Sequence, residues 1–463
     1  MIKGLLAAGL LLVLLLGALL HAGLTQAAPP AQGPGEVRLS AQHDRTRIDL
    51  AEGQVLVISL ESNPATGYLW QVAEADPAIV RQVREVEYQP SSFLLQAGPQ
   101  PAPILGAPQQ ALLRFEAIAA GQSNLRLVYR RPWETAPPAR TFSLQVRGVG
   151  HFTGVKRLPL PTPTPQPQSH YELLGNTPQL GLPTHFNWCE QGGCTPVRDQ
   201  GGCGSCWAFG TVGPLESLIK LNDGQEQDLA EQYLVSCNTG GWGCDGGWWA
   251  HDYHWNLIPP NEAGAGARRE ADFPYQASKP PCNPPHTAYE QLTSWSYVGN
   301  SYSVPPVADI KRAIYEHGPV AAAVCVGGAF SAYQGGVFQT NESCTYQVNH
   351  AIVLVGWDDE QQIWYLRNSW GSNWGEAGYM RIKWGTSNVG FAANYVAYPG
   401  SGSQCAPQQA IACGSSVSGH NAQLGSTDRI TSYACQPDRD ESGPEYTYVF
   451  TATDNLQATF SLA

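Results

Sequence analysis

Cys206 lies in the run Gln200-Gly201-Gly202-Cys203-Gly204-Ser205-Cys206-Trp207-Ala208-Phe209. A histidine, His350, and an asparagine, Asn368, follow 144 and 162 residues downstream, each inside its own apolar and Trp-containing stretch. Cys, His and an amide side chain together can perform nucleophilic acyl transfer. The thiolate attacks, and an unperturbed thiol is mostly protonated at neutral pH, so the site must favour the anion. A helix starting at Cys206 would do so through its unpaired amides and dipole, and a protonated His350 would pair with the sulfur. His350 then returns a proton to the leaving amine. Asn368 would hold the imidazole in plane. Gln200, six residues before the sulfur, can offer its side-chain amide to a developing oxyanion beside the amide of Cys206. Each residue also has a bland reading. Cys203/Cys206 could be a redox pair or half a zinc site, though no second Cys-x-x-Cys exists to complete four ligands. His350 could be a satisfied strand histidine and Asn368 a turn residue.

The segments that must hold these groups read as mixed α and β. Cys206 to Leu221 has helical character and stops at Asn222-Asp223-Gly224, with Gly213-Pro214 inside it predicting a kink. Asp309 to Glu316 reads as a second helix. Val320–Val324, Ala351–Val355, Ile363–Leu366 and Tyr379–Ile382 read as strands. Upstream, residues 36–150 carry short β-type runs (Val55–Ile58, Leu125–Tyr129, Thr141–Val146) punctuated by Gly, Pro and Asn, the pattern of a small sandwich. Residues 151–179 contain proline at alternate positions from Pro159 to Pro167, a semi-rigid spacer open to proteolysis with Lys156-Arg157 at its start.

The three stretches around Cys206, His350 (Val348-Asn349-His350-Ala351-Ile352-Val353) and Asn368 (Arg367-Asn368-Ser369-Trp370-Gly371) together resemble the papain family of cysteine proteases over residues 180–399. The resemblance implies an α+β fold of two lobes, one helical and one barrel-like, with the site between them. It implies that Trp370 and Trp374 shield the His–Asn bond. It assigns the substrate pocket to Trp248, Trp249, Ala323, Val348 and Ala351, and the edge that pairs with substrate backbone to Gly246-Gly247. Two adjacent tryptophans predict an apolar or aromatic preference, unless one merely packs on the core. The resemblance also pairs Cys203 with Cys244 and Cys237 with Cys282. The family partner of Cys344 is missing from Asn388-Val389-Gly390-Phe391, which leaves the pairing of Cys325, Cys344 and Cys405 open; Cys325 is the preferred substitute, with Cys405 unpaired or intermolecular.

In the upstream domain, Asn63-Pro64-Ala65-Thr66-Gly67-Tyr68 and Arg131-Pro132-Trp133 resemble the two signature loops of chagasin-family cysteine-protease inhibitors, whose fold is immunoglobulin-like. The middle loop of that family corresponds to Leu105-Gly106-Ala107-Pro108, with proline where glycine is usual. Such inhibitors lay three loops across a papain-type cleft, so the expectation is an intramolecular inhibitor in place of a helical propeptide. The tail, residues 412–463, has stretches Ala412-Cys413-Gly414 and Ser442–Tyr448 that resemble a partial bacterial pre-peptidase C-terminal domain, joined through a linker at 400–411.

Length and composition set the frame. At roughly 150 residues per domain, 463 residues predict about three domains. With Lys+Arg 26 against Asp+Glu 38 the net charge is −12, and no basic tract exists, which argues against a nucleic-acid partner. Lys3, the apolar run Gly4–Leu20 and the small residues Thr25-Gln26-Ala27-Ala28 read as a signal peptide over residues 1–28, or as a membrane anchor if uncleaved. Twelve cysteines, all at or beyond Cys189, fit an oxidising compartment and so a secreted or cell-surface protein. Cys189 and Cys194 are close enough to close a small loop, and Cys413 with Cys435 would staple the tail. No metal or cofactor is implied. The reading is a secreted cysteine endopeptidase acting on protein or peptide substrates. The competing readings are an inactive or inhibitor-type binding protein on a protease scaffold, and a transglutaminase, which shares Cys and His but not the flanking motifs.

Overall fold

The computed structural model describes residues 35–90, 104–152, 181–344, 346–400, 409–411 and 448–450. The expected signal segment, most of the Pro-rich spacer, Cys405, Cys413 and Cys435 lie outside these residues.

The first domain is two packed sheets. Its strands are β1 (Glu36–Ser40), β2 (Thr46–Ala51), β3 (Val55–Ser62), β4 (Leu69–Glu74), β5 (Val80–Gln82), β6 (Glu87–Pro90), β7 (Gln109–Ala117), β8 (Gly121–Arg130) and β9 (Arg140–Val149). One sheet has the order β1-β3-β7-β5 with β6 also on β7; the other runs β2-β9-β8-β4. Alternate residues point inward, as a half-buried strand requires. Leu125 and Leu127 of β8 and Phe142, Leu144 and Val146 of β9 meet Leu56, Ile58, Leu113 and Phe115 from the opposite sheet. This core needs no disulfide. It leaves three loops at one end: 63–68 between β3 and β4, 104–108 before β7, and 131–134 after β8.

The second domain combines helices with a sheet. Its elements are β10 (His185–Asn187), α1 (Cys206–Asp223), α2 (Glu231–Cys237), α3 (His251–Trp255), β11 (Ser294–Tyr297), α4 (Val307–His317), β12 (Val320–Val324), α5 (Gly328–Ser331), β13 (Val337–Phe338), β14 (His350–Asp358), β15 (Ile363–Arg367), β16 (Tyr379–Lys383) and β17 (Phe391–Ala397). The sheet order is β11-β17-β12-β14-β15-β16-β13, with β10 also on β14. β12 and nearly all of β14 are buried on both faces, so they read as continuous apolar runs. Helix α1 lies against β14 and β12. Gly210 and Gly213 permit that approach: a Cβ on Gly210 would stand 3.1 Å from the Ala351 side chain, and one on Gly213 3.1 Å from Val353. The helix continues through Pro214, where a kink was expected from sequence, and ends at Gly224 in the left-handed conformation. Residues 409–411, read from sequence as the end of a linker, form β18 and pair in parallel with β19 (Tyr448–Phe450). Among the described residues no helix is long and apolar enough to cross a membrane.

Four disulfides tie this domain: Cys189–Cys194, Cys203–Cys244, Cys237–Cys282 and Cys325–Cys344. Cys206 is the free cysteine among the described residues.

Two histidines of α3 sit in the core. His251 donates from Nε2 to Asn394 Oδ1 at 2.7 Å, and His254 is fully enclosed near Arg268. Burial pushes His251 down to about 4 and His254 down to about 3. A histidine depressed in the folded state loses its contribution as pH falls below its unfolded value near 6.5, because the unfolded chain binds the proton first. His254→Leu removes that penalty. Its stability relative to wild type should therefore rise by about 2 kcal/mol between pH 7 and pH 5. Urea unfolding of both proteins at the two pH values checks this; a difference that does not change with pH refutes it.

Candidate active site

Cys206 is the first residue of α1, and local sequence puts it there. Ser205, at the helix N-cap position, makes no side-chain cap; its hydroxyl instead pairs with the Tyr275 hydroxyl at 2.5 Å. The amides of Cys206 and Trp207 are thus left to point at the sulfur, joined by the amide of Ala351 from β14. The Cys203–Cys244 disulfide and the bond from Gly204 N–H to Cys244 O, 2.9 Å, pin this loop to the Gly246-Gly247 edge.

His350 opens β14 and Asn368 follows β15. These strands are adjacent and antiparallel, which brings the two side chains together. Asn368 Oδ1 accepts from His350 Nε2 at 2.8 Å, which leaves Nδ1, without a hydrogen bond among the described residues, as the nitrogen for the thiol. Trp370 tilts over the imidazole at 5.0 Å and packs edge-on against Trp374, whose ring stacks with Phe330. Gln200 is buried. Its Oε1 accepts from Ser369 Oγ at 2.8 Å and its Nε2 donates to Cys203 O at 2.9 Å. One amide hydrogen is therefore already engaged, and the second is the one left for an oxyanion.

Sequence reasoning expected an ionised thiol, and the closed molecule departs from that. Cys206 and His350 are both fully buried. Burial pushes the thiol up to about 12, against the pull of the three amides, and pushes the imidazole down to about 4, against the Asn368 bond. The pair is neutral here because water, which would solvate either charge, has been displaced.

The three loops of the β domain displace it. In the first, Pro64–Thr66 forms a single 3-10 turn, and Trp370 Nε1 donates to Ala65 O at 2.9 Å. In the second, Leu105 and Gly247 exchange both backbone bonds at 2.9 Å, and Gly106 N–H donates to Asn349 O at 2.8 Å. The third loop stacks Trp133 on Trp370, ring centroids 5.4 Å apart. Arg131, 1% exposed, donates to Asp199 Oδ2 (2.9 Å), Glu134 Oε1 (3.0 Å), Thr66 O (2.9 Å) and Gly201 O (3.1 Å), and its guanidinium stands over the Tyr68 ring. Asn63 braces the first loop to the second by donating from Nδ2 to Gly106 O at 2.6 Å. Pro132, half-buried, sets the turn between Arg131 and Trp133.

The residues expected from sequence to line a substrate pocket meet these loops. Trp249, Ala323, Val348 and Ala351 belong to the same buried apolar cluster as Ala65, Leu105 and Cys206. Trp248 is partly buried beside that cluster and donates its indole N–H to Tyr297 Oη at 3.0 Å. Gly106, not the neighbouring proline, makes the middle loop fit. It has φ of +83°, and a Cβ there would stand 2.0 Å from Gly204 O. Asp199, Gly201, Gly204 and Asn349 were missed by sequence reasoning. Three of them act through main-chain atoms, which leave no side-chain signal, and Asp199 is signalled only by adjoining Gln200.

Residues 182–399 match the family model described as papain family cysteine protease, and residues 49–146 match that of the chagasin family peptidase inhibitors. Zingipain-2 of Zingiber officinale is 35% identical over 207 residues, 44% of this chain and 88% of that protein. Cathepsin S of Bos taurus is 34% identical over 230 residues, 48% of this chain and 66% of that protein. A crystal structure of a Carica candamarcensis cysteine protease aligns with TM-score 0.40 and 30% identity, covering 47% of this chain and 99% of that one. The chain spans about half the length of the first curated relatives it matches, 42% to 57%.

Replacing Gly106 should lift the middle loop without touching a catalytic side chain. Gly106→Val is expected to speed iodoacetamide labelling of Cys206 by at least about tenfold, the factor that about 1.4 kcal/mol of lost loop contact gives. Mass spectrometry with a Cys206→Ala control reads the rate. Labelling as fast in the wild type as in the variant would show that the loop does not govern access.

Proposed function

The chain belongs to the papain family of cysteine proteases, and from that premise we propose that it is a secreted endopeptidase, held inactive by its own chagasin-like domain until the connecting segment is cut. The observation that carries the proposal is the closed cleft, in which three loops of the β domain take the hydrogen-bond partners of an extended substrate directly above Cys206. Secretion is supported by the N-terminal apolar run behind Lys3 and by four disulfides.

When the loops withdraw, water returns and the burial penalty on both groups falls. The amides at the start of α1 then favour sulfur as thiolate, Asn368 favours imidazolium, and the proton passes from Sγ to His350 Nδ1. The thiolate adds to the substrate carbonyl carbon, and the carbonyl electrons move to oxygen, which the Cys206 amide and the free N–H of Gln200 receive. Collapse re-forms the carbonyl and breaks the C–N bond, and the leaving nitrogen takes the proton from Nδ1. Water, deprotonated by His350, then hydrolyses the thioester and restores the thiol. Gly247 would pair with substrate backbone as an added strand, as it now pairs with Leu105. The pocket that receives Leu105 would take an apolar side chain two residues before the scissile bond.

Attachment in one chain places the inhibitor at millimolar effective concentration, so modest contacts suffice to keep the cleft closed. Cutting within 153–180, followed by dilution, should raise hydrolysis of a quenched peptide with leucine at that position by at least about 100-fold, a gain of about 2.7 kcal/mol in accessible enzyme. Cys206→Ala abolishes it. Equal rates before and after cutting exclude autoinhibition. Absence of hydrolysis after cutting, with Cys206 fully open to alkylation, favours an inactive scaffold.

A further inference from the structure

Arg131 is held by the protease as a bound ligand would be. Its guanidinium meets two acceptors, Asp199 Oδ2 at 2.9 Å and Gly201 O at 3.1 Å. Glu134, the other carboxylate on Arg131, leaves with the inhibitory domain, but Asp199 and Gly201 stay. Asp199 Oδ1 is occupied by the Gly201 amide at 2.8 Å, which holds the carboxylate in place and leaves Oδ2 facing the cleft. The neighbouring cation, Arg198, is already paired with Asp228 at 2.9 Å and does not neutralise Asp199.

The position of this acidic spot in the cleft follows from its neighbours. Asp199 forms a β-bridge with Trp370, the ring that covers His350. Leu105, by contrast, pairs with Gly247 on the other wall. His350 gives its proton to the departing amine, so the Trp370 side is the leaving-group side. The Ala65 carbonyl on the Trp370 indole marks where substrate backbone would bind there, and Arg131 bonds the carbonyl of the next residue, Thr66.

We infer that Asp199, with Gly201 O, is a specificity-determining subsite that selects an arginine or lysine two to three residues past the scissile bond, and that Arg131 is the chain's own mimic of that residue. The inference rests on the endopeptidase reading above. Chemistry favours the cation: a guanidinium satisfies both acceptors, whereas a carboxylate there meets like charge.

The test uses the full chain cut in the connecting segment and two quenched peptides. They are identical except for Arg or Glu at the second and third positions after the cleaved bond. The ratio of their kcat/KM values does not depend on the fraction of enzyme that is open. Wild type should prefer the Arg peptide by about tenfold, the scale of one charge-assisted hydrogen bond that is partly solvated, and Asp199→Asn should bring the ratio below about twofold. Asp199→Lys should favour the Glu peptide. A wild-type ratio near one, or a ratio unchanged in Asp199→Asn, overturns the subsite while leaving the protease reading intact. Failure of the unlabelled cut chain to hydrolyse either peptide, when a parallel sample shows Cys206 fully open to iodoacetamide, overturns the protease reading and the subsite with it.

Discussion

A thiol and an imidazole can share a proton as an ion pair only where something stabilises both charges. Around Cys206 and His350 that something is partly protein and partly water. The amides at the start of α1 and the Asn368 carbonyl belong to the fold and are always present. The water is removed when Ala65 and Leu105 join the buried cluster around the sulfur. Burial outweighs the fixed dipoles, and the pair is neutral. In the proposed autoinhibition, closing the cleft would do two things through one cause: keep substrate from the sulfur and favour the neutral thiol.

The grip of the β domain uses chiefly main-chain groups of the protease. Gly247 offers both its N–H and its carbonyl, and Asn349 and Gly201 offer carbonyls; Trp370 and Asp199 are the side-chain partners. A protease must present such backbone groups to bind an extended peptide, so an inhibitor that takes them competes with the substrate by the same rule. The single turn at Pro64–Thr66 differs from a substrate in being curled rather than extended. Asp199 adds a charged contact to this backbone pattern, and a side-chain contact discriminates among sequences where backbone pairing cannot.

Legibility from sequence followed the range of the interactions. Helix α1 and strands β12, β14 and β15 show as apolar runs bounded by turn residues, and β16 and the sandwich strands as alternation, so runs such as Val320–Val324 and Thr141–Val146 were readable. The roles of Cys206, His350 and Asn368 came from side-chain type and flanking motif. The loops Asn63–Tyr68 and Arg131–Trp133 were visible for the same reason. Asn349 and Gly204 were not, because their part is played by a carbonyl and by the lack of a Cβ, and neither shows until two distant segments approach.

Residue types and spacing by themselves determined which atoms can react, and the resemblance to chagasin-family inhibitors implied which loops can cover them. Only the tertiary structure decided the charge state of those atoms. It did so because protonation depends on how much water is left around a group. That amount is set by contacts between residues as far apart as Ala65 and Trp370, which no local pattern encodes.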